Sequence, residues 1–305
     1  MRVLQLVPSA DSSAYRGQVR ALSEYGVDFA TLAVPGDHVA GGRSRSPRDY
    51  LSHFVSAFRV RREFDVVHAN QGIVAPTALT LGLPTVLSLW GTDLYGALGP
   101  VSRACSRLAD QVVVMSAAMA EELGTDCRVI PHGVDTERFQ PGTQRDAQAT
   151  LGWTDGYHVL FPYAPDRAVK NYPRAEQIVD AVGDRLHADV SLHAVTGVPH
   201  EQMPTYYVAA DALLLPSAHE GSPNAVKEAL ACNLPVVSTP VGDVPERLDG
   251  VTPSGTAETD AGLTSALAAV LARDERSNGR EQVFELTRDR TARELAAVYR
   301  EVLDG

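Results

Sequence analysis

Two glutamates, Glu220 and Glu228, stand with seven residues between them in the stretch 213–239, LLLPSAHEGSPNAVKEALACNLPVVST. A carboxylate accepts hydrogen bonds from hydroxyl groups, and two at this spacing can grip a polyol on both sides of a diphosphate. The residues between them supply the phosphate side. Ser222 is placed to cap a helix with Pro223 at its first position, where a missing N–H costs nothing. The free N–H groups of Ser222, Asn224 and Ala225, together with the helix dipole, attract phosphate, and Gly221 opens the loop that leads there. Glu220 then lies beside the phosphate. Glu228 lies about two turns further in, on the flank of an apolar face made by Ala225, Val226, Ala229 and Leu230. The plainer alternative is a capped surface helix with two solvated glutamates.

A second group is cationic. Arg167 and Lys170, in the string RAVKN, follow an expected strand and precede an expected helix, where two cations can bind a diphosphate. Ordinary surface charge is the alternative. Against it stands the shortage of lysine, because only Lys170 and Lys227 occur in the chain. Lys227 falls on the polar face of the helix and reads as solvated. Val198 stands in the loop TGVP after another strand, which on its own reads as a plain turn. In the first half, Trp90 and Asp93 (in WGTD) and His68 and Asn70 (in VVHAN) end strands, and all four are acceptor-side candidates. Asp93 reads equally well as the cap of the next turn, and His68 and Asn70 as structural residues.

Such groups need strand ends to hold them. Apolar runs at 2–8, 27–34, 65–69, 85–90, 111–115 and 128–130 read as strands, and so do 158–162, 190–195, 212–215 and 235–238. Helical spacing falls at 15–25, 72–81, 171–182, 257–273 and 288–303. Strands alternating with helices predict α/β architecture with doubly wound parallel sheets, whose ligands bind at the carboxyl ends of the strands. The turn-rich string PHGVDTERFQPG at 131–142 reads as a linker. The chain of 305 residues suits two domains. One is 1–138 and the other 139–289, with a last helix at 290–305.

The string EGSPNAVKEALACNLPVVST resembles the E-x7-E signature of the family-4 retaining glycosyltransferases, which have the GT-B fold. The resemblance implies two Rossmann-like doubly wound domains facing a cleft: 1–138 on the acceptor side, 139–289 binding the nucleotide-sugar, and helix 290–305 packing back on the first. It gives Glu220 to the donor sugar hydroxyls and Glu228 to the nucleotide ribose, with Arg167 and Lys170 neutralising the leaving nucleotide. The strings at 131–142 and 201–209 are similar to that family's hinge and to its M-P-x-Y-Y-x-x-A-D segment, and the family binds the nucleobase near the TGVP loop, which makes Val198 a candidate for contact with it. It further implies transfer of a hexosyl group from a UDP- or GDP-sugar with no obligatory metal, no permanently bound cofactor, and a role in glycan biosynthesis. Two departures stand out. Trp90 replaces a frequent histidine, and the family's glycine-rich loop after the first strand here reads PSADSS. They leave room for a non-catalytic partner of the same fold in a glycosylation complex, and an epimerase of nucleotide-sugars is the other enzyme alternative.

Composition narrows the class. A net charge of −11 argues against nucleic acid as a partner. Three scattered cysteines, Cys105, Cys127 and Cys232, suit a reduced cytoplasmic setting, and MRVLQLVPSA turns polar too soon for a signal peptide. The segment 43–62 is the exception in charge. Arg43, Arg45, Arg48, Arg59, Arg61 and Arg62 accompany a helical apolar face of Tyr50, Leu51, Phe54, Val55 and Phe58. It reads as a helix packed on its own sheet, or as a peripheral contact with an anionic membrane at its inner face.

Overall fold

The computed structural model describes residues 1–36 and 45–304 and divides the chain into two compact units, Met1–Gly133 with Arg288–Gly305, and Val134–Thr287. The first unit holds strands β1 (Arg2–Val7), β2 (Asp28–Ala33), β3 (Val66–Asn70), β4 (Thr85–Leu89), β5 (Gln111–Val114) and β6 (Arg128–Val129). They form one parallel sheet in the order β2-β1-β3-β4-β5-β6. The second holds β7 (Tyr157–Phe161), β8 (Val190–Ala194), β9 (Ala212–Leu215), β10 (Val236–Ser238) and β11 (Gly255–Thr256), parallel in the order β11-β10-β9-β7-β8. The central strands VVHAN, TVLSL, ALLL and VVS are buried on both faces, as helices covering each side of a parallel sheet require. In each sheet the strand order reverses once, between β1 and β3 and between β7 and β9. A ligand crevice forms at such a reversal, outside the carboxyl ends of the strands.

The division falls at 133/134 and 287/288, rather than at 138 and 289. Val134 N–H donates to Leu286 C=O at 2.7 Å, and Arg280 donates to the carbonyls of Thr136 and Phe139, both at 2.8 Å. The turn-rich segment is thereby stitched to the second unit. That unit also gains a helix, Gln144–Leu151, that periodicity did not reveal, since Ala147 is its one buried residue. The expected helix 72–81 is a 3-10 turn at Gly72–Val74 followed by the short helix Ala75–Leu79.

Helix Arg288–Asp304 belongs to the first unit. Ala292, Leu295, Ala296, Val298 and Tyr299 enter the core with β1, β3 and β4. Tyr299 joins a buried polar network there. Its hydroxyl accepts from Gln5 Nε2 at 3.1 Å and lies 2.7 Å from His68 Nδ1, while His68 Nε2 is 2.7 Å from Ser88 Oγ. Asn70 Nδ2 donates to Gln5 Oε1 at 2.6 Å, and Gln18 Nε2 donates to Asn70 Oδ1 at 3.3 Å. His68 and Asn70 are wholly buried and hydrogen-bonded in this network, so both serve the core. The expectation that they face an acceptor is corrected on that ground.

Burial pushes the His68 imidazole down to about 3, so it is neutral in the folded state. An unfolded histidine takes a proton near pH 6.5. The folded state therefore binds fewer protons, and stability is full above pH 6.5 and falls as the pH drops towards 3. Acid unfolding should show a loss of roughly 1.4 kcal/mol per pH unit across that window from this group. His68→Gln should be less stable at neutral pH yet show a shallower acid limb. Equal slopes in urea titrations of the two proteins would refute this.

Candidate functional site

The strand-order reversal at β7 and β9 brings the two predicted clusters together. After β7 the chain turns through Tyr163 and Arg167 into a 3-10 turn, Ala168–Lys170, and Asn171 with φ 57° starts helix Tyr172–Leu186. After β9 it runs through Ser217 and Glu220 to helix Asn224–Ala231. The two loops are tied by Ala218 N–H donating to Val169 C=O at 2.9 Å. Across this tie the Lys170 ammonium donates to Glu220 Oε1, with side chains only 5% and 12% exposed. Low local dielectric strengthens such a pair and makes either partner costly to leave alone.

Tyr163, not singled out from the sequence, organises the cations. Lys170 Nζ lies 3.8 Å and Arg167 Cζ 5.4 Å from its ring centroid, within cation–π range. Burial lowers the Lys170 pKa, the Glu220 carboxylate pulls it back up, and Arg167 lowers it again. The Tyr163 phenol is pushed well above its ordinary value by burial and by the carboxylates of Glu220 and Glu228. Arg167 stays exposed. A buried ammonium, an exposed guanidinium and a helix start at one sheet edge make a cationic cluster of the kind that can seat a phosphorylated ligand.

Glu228 is not a solvated helix residue. Tyr207 Oη donates to its Oε2 at 2.8 Å and His200 Nε2 lies 2.9 Å from its Oε1. Arg138 Nη1 lies 3.4 Å from His200 Nδ1, so the guanidinium donates there and the ring's Nε2–H is directed at Glu228. Burial, then Glu228, raises the Tyr207 phenol well above its ordinary range. Neither His200 nor Tyr207 was picked out alone, although His200 follows the TGVP loop and Tyr207 lies in the MPTYY segment. Val198 is half-buried in that loop, beside Gly197 with φ 72°, and packs on the core that includes Tyr207.

The helix start differs from expectation. Its cap is Pro223, and no side chain caps it. Ser222 is occupied elsewhere, because its hydroxyl donates to Asp243 Oδ2 at 2.8 Å. The backbone N–H groups at Asn224 and Ala225 still lack intrahelical partners by helix geometry. Gly221 is buried against the loop after β10. Gly242, with φ 58°, packs so closely there that an added Cβ would collide with the carbonyl of Gly221. Lys227 is corrected outright: it is 1% exposed, its Nζ donates to Ser222 Oγ at 3.1 Å, and burial draws its pKa down to about 8.

In the first unit, Asp93 accepts from the backbone N–H groups of Gly72, Trp90 and Gly91 at 3.0, 2.9 and 2.9 Å and is 6% exposed. It shapes the turn after β4, which corrects its acceptor-side expectation. Trp90 remains half-buried, edge-on to His132 with ring centroids 4.5 Å apart. Its indole N–H is buried without a hydrogen-bond partner among the described residues.

Comparison with known proteins follows the two halves. Residues 7–138 match the family model Glycosyltransferase Family 4, and residues 170–273 match Glycosyl transferases group 1. TuaC of Bacillus subtilis (strain 168), named for teichuronic acid biosynthesis as a glycosyltransferase, is 30% identical over 212 residues, 59% of this chain and 54% of that protein. The chain spans about half the length of the first two curated relatives it matches. Sucrose-phosphate synthase from Thermosynechococcus elongatus superposes with TM-score 0.75 at 20% identity, covering 100% of this chain and 99% of that one. Anabaena HepE, solved in complex with UDP-glucose, superposes with TM-score 0.66 at 14% identity, covering 100% and 97%. These likenesses are of fold, that of GT-B glycosyltransferases.

The ion pair gives a stability test. Glu220→Ala leaves the Lys170 ammonium buried and unpaired, and should cost about 3–5 kcal/mol in urea unfolding. Adding Lys170→Met should restore much of that loss. If the double variant is no more stable than Glu220→Ala, the pair is not coupled as described.

Proposed function

The chain belongs to the family-4 type of glycosyltransferases with the GT-B fold, and from that premise we propose that it moves a sugar from a nucleotide-diphospho-sugar to an acceptor hydroxyl, with retention at the anomeric carbon. The observation that carries this reading is the Lys170–Glu220 pair at the β7–β9 reversal, with Arg167 on the same tyrosine ring. Arg167, Lys170 and the start of helix Asn224–Ala231 stabilise the departing diphosphate, whose charge grows as the glycosidic carbon–oxygen bond breaks. Glu220 meets the donor sugar hydroxyls and holds the anomeric carbon for attack. Glu228, fixed by Tyr207 and His200, accepts from the ribose, and Val198 borders the base. Trp90 is the acceptor-side residue retained from the first unit. The donor is a UDP- or GDP-sugar, the transferred group a hexose, the reaction metal-independent and the setting cytoplasmic.

Thermal melts with UDP-, GDP-, ADP- and TDP-sugars in EDTA should show a rise for one nucleotide class, by mass action. Glu220→Gln and Lys170→Ala, assayed below their lowered melting temperatures, should then reduce turnover roughly 100-fold or more. Turnover near that of the unaltered protein in either variant would overturn the assignment. A melting shift without sugar transfer to any acceptor would favour the non-catalytic partner, which the departure at Trp90 keeps in view.

The reading includes peripheral contact with anionic lipid through helix Pro47–Val60. This helix buries Asp49, His53 and Ala57 and turns Leu51, Val55 and Phe58 outward, at 62%, 37% and 42% exposure. Arg48, Arg59 and Arg62 are exposed around that stripe, and the Arg61 guanidinium lies 3.4 Å from the Phe58 ring centroid. Arg43 lies outside the described residues. An apolar stripe edged by arginine on a chain of net charge −11 is complementary to an anionic surface. No helix among the described residues is long and apolar enough to cross a membrane. Sedimentation with vesicles of phosphatidylcholine and phosphatidylglycerol should capture the protein at low salt, and Leu51→Ser with Phe58→Ser should release it. Absence of binding at low salt would end this part of the reading.

A further inference from the structure

Lys227 lies on the second turn of helix Asn224–Ala231, beneath the loop that carries Glu220, and is sealed from solvent. Its Nζ donates to Ser222 Oγ at 3.1 Å, and Ser222 Oγ donates to Asp243 Oδ2 at 2.8 Å. Arg247 Nε donates to the same Oδ2 at 2.9 Å. Asp243 is 1% exposed, and its Oδ1 has no hydrogen-bond partner among the described residues. Such a carboxylate is tolerable in the interior only beside cations. Glu228, from its own helix, also acts on Lys227. One residue before Asp243, Gly242 presses on the backbone of Gly221, next to Glu220. The loop bearing the sugar-binding carboxylate therefore rests on a floor of buried charges.

We infer that Lys227 is a positioning residue: with Asp243 and Arg247 it locks Ser222, so that Glu220 reaches Lys170 and the N–H groups at the helix start stay turned to a diphosphate. The inference rests on the reading of that helix start as the diphosphate site. A solvated lysine would serve no such end, and an apolar residue here would strand Asp243 with Arg247 alone. Burial has drawn the ammonium's pKa down to about 8, with Asp243 opposing. Below that pH it is charged and the floor is complete; above it the floor loses a cation and the loop loses its anchor.

The experiment is calorimetric titration with UDP and GDP from pH 6.5 to 9.5, on the unaltered chain and on Lys227→Met and Lys227→Gln. The unaltered chain should bind one of the two, with affinity falling about tenfold as the pH rises through 8. The variants should bind about tenfold more weakly at pH 7 and lack that alkaline step. Lys170, also lowered by burial and facing Glu220 and Arg167, is controlled by Lys170→Arg, which should keep the step. Should both Lys227 variants fail to fold, Lys227→Met with Asp243→Asn removes both charges and should fold, bind weakly and lack the step. A folded Lys227 variant with unchanged affinity and an unchanged alkaline step overturns the inference while leaving the donor site standing. If the unaltered chain binds neither nucleotide, the donor-site reading falls and the inference with it.

Discussion

An ammonium and a carboxylate that are nearly sealed from water constrain everything around them. Lys170 and Glu220 come from different loops, 50 residues apart in sequence, and neither can be buried without the other. Their meeting requires β7 and β9 to be neighbours, which is the point where the strand order reverses. It requires the tie from Ala218 to Val169, and a glycine at 242 to let the next loop close in. Tyr163 then offers its ring face to both cations. Under the proposed function the same pair has a second use, since a phosphate that draws the cation away from the carboxylate leaves it free to accept from hydroxyls.

The two units meet the problem of buried polarity differently. In the second, charge is answered by charge: Lys170 with Glu220, and Asp243 with Arg247 and Lys227. In the first, a chain of neutral groups is the largest network, as Gln18, Asn70, Gln5, Tyr299, His68 and Ser88 run through five elements. Neutral networks fix geometry without the desolvation cost of ions. Charged ones can respond to a ligand.

Much of the fold was legible because parallel strands buried on both faces write themselves as apolar runs. Residues 212–215 are read off correctly for that reason, and so is helix Arg288–Asp304 from its spacing. The helix Gln144–Leu151 was invisible since it buries little, and the boundary at 134 depends on Arg280, far along the chain. In the site, residue type and spacing pointed to Glu220, Glu228, Arg167 and Lys170. They gave no hint of what each one touches. Lys227 looks solvated by helical position, yet the loop after β10 covers it. His68, Asn70 and Asp93 sit at or just beyond strand ends like ligand contacts, but they are claimed by Tyr299, Gln5 and backbone N–H groups. Tyr163, His200 and Tyr207 act as supports for other side chains, a role with no spacing of its own.

Helix Arg288–Asp304 returns to a unit that the chain left at Gly133. The second unit is contiguous, and all its strands are available to it once residue 256 has been made. The first is interrupted. Until Tyr299 emerges from the ribosome, Gln5 and His68 lack their shared phenol and the sheet lacks the cover of Leu295 and Val298. The unit that is synthesised first is therefore the one completed last. During translation its apolar sheet keeps part of one face uncovered while an entire second unit is made, an interval in which exposed apolar surface favours aggregation.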